Sequence, residues 1–404
     1  MATVQILVGL YLIVDGLRWN SYVRRRMGSH AGIYSPPAAL LCPCKGIEPG
    51  LEENIRALCE FDYPNYELFF IVDSVSDPAY GLLQRIAASS KPKAHIVIGG
   101  APEGCSEKVN NLRAAIEQLP ADFEVLVFAE TDGRLGRRWL QHLVATLSDP
   151  RLGAATTMRW CAPARNNFAT ALLAAWNAPI VTLLGEHGRN FCWGGGTAIR
   201  RSVFEQVNVA AEWQSSISDD HSMTRALHRA GQPILFVPEC LAVTNCATDF
   251  DGLLESTNRQ VLIARVYFPR IWATAAATHL LYCLTLLFGS LLFLENLAAG
   301  RPAFHLAVLT ILPVMFAAMR GALRMTGVSN ALPALSSQIL EKAWIWTVLG
   351  AFVSFLYSFN FLHSLTTRTI RWRGVRYELI SPSQTRILSR LQSALLAAEE
   401  RKVR

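Results

Sequence analysis

The stretch Phe123–Asp132 reads FEVLVFAETD and contains the pattern that decides the fold. Its first part, Phe123–Phe128, is a short apolar run of the kind found in strands that are buried on both faces of a sheet. Similar runs lie earlier in the chain, at Ala38–Cys44, Tyr66–Val72 and Ala94–Ile98. Helical patterns separate them, at Leu51–Glu60, Ala79–Ala88 and Lys108–Gln118. This alternation predicts an α/β domain with a parallel sheet and helices on both of its faces.

Two carboxylates, Glu130 and Asp132, close the last of these strands. In an extended chain, positions i and i+2 face the same way, so both side chains can point at one site. A pair of carboxylates together with substrate phosphates suits Mg²⁺ or Mn²⁺. A solvated turn is the alternative. Since ligands bind outside the carboxyl ends of parallel strands, we predict a metal site here.

Asp73 and Asp77 follow the strand predicted at Tyr66–Val72. A carboxylate at such a strand end can accept hydrogen bonds from a nucleotide base or from a ribose hydroxyl. The alternative is an Asx turn or an N-cap for the helix that begins near Pro78, for which Asp77 is well placed.

A further acidic pair, Asp219 and Asp220, stands between Ser218 and His221, before the helical stretch HSMTRALHRAG. Ser218 or Asp219 could simply cap that helix and offset its dipole. A carboxylate at a helix start could instead deprotonate an acceptor hydroxyl. Upstream, the glycines of the FCWGGGT segment allow the backbone to approach a ligand closely, or form a flexible loop.

Apolar segments flank this domain in a chain of 404 residues that is 51% hydrophobic. Val4–Leu17 is shorter than the ~20 residues that cross a bilayer and contains Asp15, and we interpret it as an uncleaved anchor. Towards the other end lie three apolar segments: Ala273–Leu294, Phe304–Met319 and Ala343–Phe361. The first is long enough to span a membrane, and the shorter two are either spans or re-entrant segments.

The chain has a net charge of +7, and basic residues cluster beside these apolar segments. Arg24–Arg26 follow the first segment, and Arg368, Arg371, Arg373 and Arg376 follow the last. This placement favours a positive-inside membrane protein with a cytoplasmic catalytic domain over a nucleic-acid-binding protein. A basic tail on the cytoplasmic side conflicts with three complete spans, which favours a re-entrant or interfacial segment. The nine cysteines are scattered; Cys42 and Cys44 form a C-x-C pair without the C-x-x-C spacing of a zinc or redox site, and we interpret these two as buried thiols.

Taken in order, several short segments resemble family 2 glycosyltransferases of the ceramide glucosyltransferase type, which have a GT-A fold. The resemblance runs from about Leu40 to Leu379. Its segments are CKGIEPGLEENI, FDYPNYEL, SDPA, KVNNL at Lys108–Leu112, the triplet ETD, GGGTAIRRSVF, the acidic pair before ALHRAG, and WRGVRYEL.

The resemblance implies a role for each matching position. It assigns Asp73, Asp77 and Lys108 to the nucleotide-sugar, and Glu130 and Asp132 to the metal and diphosphate.

It also assigns Asp220 to the general base and Arg259 to the diphosphate. Around Arg259 the family's Q/R-x-x-R-W motif reads Ser256-Thr257-Asn258-Arg259-Gln260 and lacks the tryptophan. That tryptophan belongs to the acceptor platform of processive polysaccharide synthases, so its absence counts against a processive enzyme.

We therefore expect an inverting, metal-dependent hexosyltransferase that moves a sugar from a UDP-glucose-like donor to a lipid hydroxyl in the membrane. A processive exopolysaccharide synthase and a catalytically silent membrane scaffold are the alternatives. The expected organisation is a membrane anchor at residues 1–24, a GT-A domain at 25–270, transmembrane or re-entrant helices at 271–363 and a basic interfacial tail at 364–404.

Overall fold

The computed structural model describes residues 1–28 and 32–390, and its contacts divide the chain into two compact units. We call the first the helical unit; it comprises residues 1–28, 161–183 and 246–367. We call the second the sheet unit; its described residues are 32–160, 184–245 and 368–390. The boundaries of these units differ from the domain boundaries expected from the sequence. Residues 161–183 and 246–270, which were expected in the GT-A domain, belong to the helical unit.

The strands and helices are numbered along the chain. The strands are β1 Ala38–Pro43, β2 Tyr66–Val72, β3 Ala94–Ile98, β4 Val125–Ala129, β5 Gly133–Arg134, β6 Ala154–Thr156, β7 Arg159–Pro163, β8 Gly196–Arg200, β9 Ile234–Phe236, β10 Ala242–Cys246, β11 Thr369–Trp372, β12 Val375–Ser381 and β13 Gln384–Arg390. The helices are α1 Ala2–Met27, α2 Leu51–Leu58, α3 Tyr80–Ser89, α4 Glu107–Gln118, α5 Trp139–Ala145, α6 Phe168–Val181, α7 Arg201–Gln206, α8 Val209–Trp213, α9 Asp219–Arg229, α10 Phe250–Tyr267, α11 Pro269–Ala298, α12 Phe304–Ala331, α13 Ser336–Glu341 and α14 Gly350–Thr366. A π-helical turn, Ile345–Leu349, leads into α14.

The sheet unit is built on a seven-stranded sheet with the strand order β3-β2-β1-β4-β8-β6-β9. The four strands predicted from their apolar runs are β1 to β4, and they are parallel to one another. The α/β prediction is therefore confirmed, and the sheet is of the Rossmann-like type.

The prediction of a parallel sheet was wrong at β8, which runs antiparallel to both β4 and β6. The chain enters β8 at Gly196, which pairs with Ala129 at the end of β4. This direction places the glycine-rich loop before β8 at the carboxyl edge of β4, beside Glu130.

The basic segment after α14 forms a three-stranded antiparallel sheet, β11 to β13, within the sheet unit. Val375, Tyr377 and Leu379 alternate with polar residues along β12 and are buried. The hydroxyl of Tyr377 accepts a hydrogen bond from the backbone N–H of Glu107 at 3.4 Å. An interfacial role for residues 364–404 remains a prediction, and residues 391–404 lie outside the described part.

Four helices of the helical unit are long and apolar enough to cross a membrane: α1, α11, α12 and the helix Ile345–Thr366. The segment at the N-terminus was predicted to be short, but α1 continues for 26 residues through Asp15 and Arg18. Likewise α12 runs beyond the predicted end at Met319 to Ala331 and includes Pro313.

The contacts of α12 fix the directions of its neighbours. A Cβ on Gly9 of α1 would touch Phe316, one on Gly16 would touch Leu323, and one on Gly327 would touch Trp19, so α1 and α12 run parallel.

In contrast, Gly289 of α11 faces Thr310 of α12, and a short turn joins the two helices. These two helices are therefore antiparallel, and α12 ends at the level where α11 begins.

The helix Ile345–Thr366 begins near the middle of this bundle and not at the far end. A Cβ on Gly321 would lie 2.0 Å from the carbonyl oxygen of Trp346, and Gly321 is about 15 Å along α12 from its C-terminal end. From there α14 runs antiparallel to α11: Tyr282 donates a hydrogen bond to the carbonyl of Ala351, and Trp272 packs on Phe361. These contacts are consistent with a re-entrant segment, which stays a prediction.

A disulfide joins Cys161 of β7 to Cys246 of β10, across 85 residues of sequence. The two cysteines meet because β7 and β10 are neighbours in a small sheet. Cys42 and Cys44 are buried free thiols, as expected.

The re-entrant path makes a prediction about membrane topology. Strands β11 to β13 belong to the sheet unit, so the chain between α10 and β11 must cross the membrane an even number of times. An epitope tag inserted at Ser383 should therefore be accessible from the same side of sealed vesicles as a control tag at Pro150, in a turn of the sheet unit. A tag at Gly300, between α11 and α12, should be accessible only from the other side. Tags at Ser383 and Pro150 on opposite sides would contradict the re-entrant path.

Candidate functional site

The centre of the candidate site is the ammonium group of Lys108, which bridges two carboxylates. Its Nζ lies 2.6 Å from Oε1 of Glu130 and 3.1 Å from Oδ2 of Asp219. Glu130 directly follows β4, Lys108 stands in the first turn of α4, and Asp219 begins α9. Lys108, predicted to bind the nucleotide-sugar, is thus in direct contact with Glu130, a predicted metal ligand.

Two serine caps fix the helix starts that carry these charges. The hydroxyl of Ser106 accepts a hydrogen bond from the N–H of Val109 at 3.2 Å and starts α4. The hydroxyl of Ser218 accepts from the N–H of His221 and starts α9. Because an N-cap serine sets the first turn of a helix, it also sets where the side chains of that turn point.

The pKa values in this cluster follow from burial and mutual charge. Burial alone would lower the pKa of Lys108, but Asp219 and Glu130 outweigh it and hold that pKa above its ordinary value. Burial opposes the ionisation of Glu130 too, yet Lys108 brings its pKa below the ordinary value. Burial raises the pKa of Asp219 to about 6, with contributions from Asp220 and Glu130. At neutral pH the carboxylates of Glu130, Asp219 and Asp220 are therefore ionised, and the single ammonium of Lys108 offsets only part of their negative charge.

The glycine-rich loop packs directly against this cluster. A Cβ on Gly194 would lie 2.5 Å from both Oδ2 of Asp219 and Nζ of Lys108. Any larger residue would displace the ion pair. The close approach predicted for this loop is thus made to the charged cluster.

Asp220, the predicted general base, is held by several donors. Its Oδ1 accepts hydrogen bonds from the hydroxyl of Ser218 and from the backbone N–H of His221, and lies 2.8 Å from Nδ1 of His221. Its Oδ2 accepts from the N–H of Gly194 at 3.2 Å. Burial would raise the pKa of Asp220, but His221 and Ser218 outweigh it and hold that pKa well below its usual range.

Asp132, the second predicted metal ligand, is paired with Arg159 from β7. Its Oδ2 lies 3.0 Å from the guanidinium of Arg159, while its Oδ1 is buried without a hydrogen-bond partner. Burial and the neighbouring charge of Glu130 raise the pKa of Asp132. An additional cation near Oδ1 would relieve both effects.

The carboxylates of Glu130 and Asp132 are an incomplete ligand set for a divalent cation. Among the described residues, no group of three or more His, Cys, Asp or Glu side chains could hold a metal by itself. Glu130 and Asp132 provide hard carboxylate oxygens, one of them without a partner. Such a partial ligand set is typical of Mg²⁺ sites, in which substrate phosphates and waters supply the other ligands.

Asp73 lies in a second polar cluster at the end of β2. Its Oδ1 is buried without a hydrogen-bond partner. Glu107 is next to it and also contacts the ammonium of Lys45. Burial and Asp73 raise the pKa of Glu107. An unpaired carboxylate oxygen at a strand end is consistent with the predicted contact to a nucleotide.

Asp77 is occupied by the backbone. Its Oδ1 accepts hydrogen bonds from the N–H of Gly46 at 2.9 Å and of Ala79 at 2.8 Å. Its Oδ2 is 3.2 Å from the same N–H of Gly46. This geometry matches the Asx-turn alternative, and it leaves Asp73 as the better placed of the two for a nucleotide.

The sequence reasoning missed Arg373, at the turn between β11 and β12. Its guanidinium donates to the carbonyl of Lys45 at 3.1 Å and pairs with Glu48 at 2.8 Å. Its charge also acts on Asp132. The sequence analysis places Arg373 in a basic tail. However, Arg373 and Gly374 form a polar turn between two segments in which apolar and polar residues alternate, and this pattern is a hairpin signal.

Arg259, the predicted diphosphate ligand, lies on α10 in the helical unit and is half-buried. Its role stays a prediction. Within the sheet unit the structure gathers Lys108, Glu130, Asp219 and Asp220 into one contiguous cluster.

Two curated relatives match about half of this chain. Beta-monoglucosyldiacylglycerol synthase of Trichormus variabilis is 27% identical over 203 residues, which are 48% of this chain and 41% of that protein. The protein of the same name from Nostoc sp. is 26% identical over the same shares. The match thus spans less than half the length of these relatives.

In three dimensions the chain is similar to the mannosyltransferase PcManGT from Pyrobaculum calidifontis, in complex with GDP-Man and Mn²⁺. The TM-score is 0.46 at 15% identity, and the match covers 90% of this chain and 97% of that one.

A family model described as glycosyl transferase family 21 matches residues 3–384. That range includes β1 to β12, the Lys108 cluster and all four apolar helices. The chain therefore belongs to glycosyl transferase family 21 and is a glycosyltransferase.

Proposed function

We propose that this chain transfers one hexose from a nucleotide-diphosphate sugar, of the UDP-glucose kind, to a hydroxyl group of a membrane lipid. The observation that carries the proposal is the contiguous cluster of Lys108, Glu130, Asp219 and Asp220 at the carboxyl edge of the sheet. Its ionised carboxylates can bind a metal and accept a proton, and they lie at the edge where ligands bind in α/β sheets.

A lipid acceptor is supported by two observations. Relatives that match about half of the chain are named as glucosyldiacylglycerol synthases. The described part of the chain contains four helices that are long and apolar enough to cross a membrane. A lipid whose tails stay in the bilayer can present its head-group hydroxyl to an enzyme that is anchored beside it.

Access favours Asp220 as the base over its neighbour. The side chain of Asp219 is 4% exposed and is engaged by Lys108, whereas that of Asp220 is 20% exposed. In the proposed step a proton moves from the acceptor hydroxyl to the carboxylate of Asp220. The hydroxyl oxygen forms a bond to the anomeric carbon as the bond from that carbon to the diphosphate oxygen breaks. A single displacement inverts the configuration.

The diphosphate of the donor gains negative charge as it leaves, so nearby positive charge would stabilise it. Glu130 and Asp132 would hold Mg²⁺ or Mn²⁺, which when bound neutralises charge on the diphosphate. Lys108 and Arg373 are positive charges of this chain near those carboxylates. Asp73 would contact the nucleoside.

A cytoplasmic catalytic domain is supported by the charges at the end of α1. Arg24, Arg25 and Arg26 form its last turn. They directly precede the sheet unit, and such clusters are retained on the cytoplasmic side of membranes.

The function is tested by product analysis. Membranes that contain the chain are incubated with labelled nucleotide-sugars and defined lipids with free hydroxyl groups, including diacylglycerol and ceramide. We expect one sugar per lipid, with the anomeric configuration opposite to that of the donor. Long polymer would instead support a processive synthase, and neither transfer nor donor hydrolysis with any lipid would support a silent scaffold.

The role of Asp220 is tested by Asp220→Asn. A positioned general base contributes roughly 10²–10⁴-fold to a rate, so we expect turnover to decrease by that factor while donor binding is largely kept.

Asp122→Asn is the matched control, because Asp122 is exposed and precedes β4 at the opposite edge of the sheet. Near-normal turnover of Asp220→Asn would remove Asp220 from the mechanism. A loss of donor binding equal to the loss of turnover would assign it to the donor instead.

A further inference from the structure

Two arginines lie inside the apolar helix α12, outside the site described above. Arg320 and Arg324 are one turn apart and therefore on the same face of the helix. Arg324 is 6% exposed, although the helix is apolar enough to span a membrane. A charged residue at such a position is costly unless it is paired, and it is a common sign of function.

Neither guanidinium has a matching anion among residues 1–28 and 32–390. The Nε of Arg324 is buried without a hydrogen-bond partner, and the charge of Arg320 repels that of Arg324. The carboxylate that attracts Arg320 is Asp15 of α1, which forms no ion pair of salt-bridge length with it in the described chain. One distant carboxylate leaves these two positive charges without full compensation.

The side chains around the two arginines are polar and aromatic, and they stack on or hydrogen-bond to one another. The ring of Tyr357 stacks between His279 and Trp176, at centroid distances of 4.4 and 4.8 Å. Its hydroxyl donates to the carbonyl of Trp176 at 2.7 Å, so it supplies no anion. His279 is fixed in turn by Ser354, with Nδ1 at 3.0 Å from the hydroxyl. Tyr357 and Ser354 belong to α14, so this helix forms one wall around the arginines.

The depth of the two arginines matches the head groups of one leaflet. Arg324 and Arg320 lie about 10 and 16 Å along α12 from its end at Ala331. Since α1 runs parallel to α12, that end is level with Arg24–Arg26. The apolar part of α12, from Phe304, occupies the rest of the span. Long arginine side chains at this depth reach lipid head groups.

We propose that Arg320 and Arg324 bind the phosphate of an anionic phospholipid in the leaflet where α12 ends. Adjacent guanidinium groups suit phosphate oxygens because each offers two parallel N–H donors. The bound phosphate supplies the close counter-ion that the two arginines lack among the described residues. This site is separate from the sugar-transfer site and does not depend on the proposed acceptor.

The test uses the full chain purified in a neutral detergent. Its thermal unfolding temperature is followed as phosphatidylglycerol, phosphatidylcholine or inorganic phosphate is added. A ligand that binds only the native state stabilises it, so phosphatidylglycerol should raise the temperature to a plateau, and the other two should not.

Variants keep the test independent of folding. In Arg320→Gln/Arg324→Gln the apparent affinity for phosphatidylglycerol should fall roughly tenfold or more. The lipid-free protein should unfold at the same or a higher temperature, because an uncompensated buried charge has been removed. Arg301→Gln is the matched control, since Arg301 is exposed in the turn between α11 and α12, and it should respond like the unaltered chain.

Three outcomes would overturn the proposal. The first is an equal response of the double variant and the unaltered chain to phosphatidylglycerol. The second is an equal response of the unaltered chain to phosphatidylcholine. The third is a saturable response to inorganic phosphate that the double variant loses, which would make the site one for a soluble anion.

Discussion

The candidate site depends on one buried ammonium, that of Lys108. Four carboxylates of the sheet unit, those of Glu130, Asp132, Asp219 and Asp220, are held near one edge of the sheet, where their mutual repulsion opposes folding. Lys108 contacts two of them directly, and Arg159 contacts a third. Because breaking a buried ion pair leaves an uncompensated charge, this arrangement constrains its neighbours strongly. The glycine at position 194 is one consequence, because a side chain there would displace the ion pair of Lys108 and Asp219.

The sequence predicted the central strands well, because continuous apolar runs between polar turns leave little freedom in their limits. Strands β2 and β3 begin and end at the predicted residues. The direction of β8 could not be predicted, since GTAIR has no pattern that distinguishes a parallel from an antiparallel neighbour. Likewise, the pairing of Cys161 with Cys246 depends on two strands that become neighbours only in the folded chain. Strands β11 to β13 could have been found, because the alternation of Val375, Tyr377 and Leu379 with charged residues has the period of a strand.

For the site, sequence position identified the acidic residues but could not reveal their partners. Asp73 and Asp77 looked equivalent, and only the folded loop shows that backbone N–H groups occupy Asp77 while an oxygen of Asp73 has no partner. The pairing of Lys108 with both Glu130 and Asp219 joins α4, β4 and α9, and no short-range pattern encodes such a contact. The same limit explains why Arg373 was missed and why Arg320 and Arg324 were not distinguished from other basic residues near the membrane.

We propose that the carboxylates around Lys108 form a site for a divalent cation and a nucleoside diphosphate. Mn²⁺ binding, followed by electron paramagnetic resonance with UDP and GDP added in turn, tests this directly. A nucleoside diphosphate should tighten Mn²⁺ binding to the unaltered chain. Asp132→Asn should weaken this binding roughly tenfold or more, whereas Asp122→Asn should not. Equal Mn²⁺ affinity of Asp132→Asn and the unaltered chain in the presence of the diphosphate would contradict it.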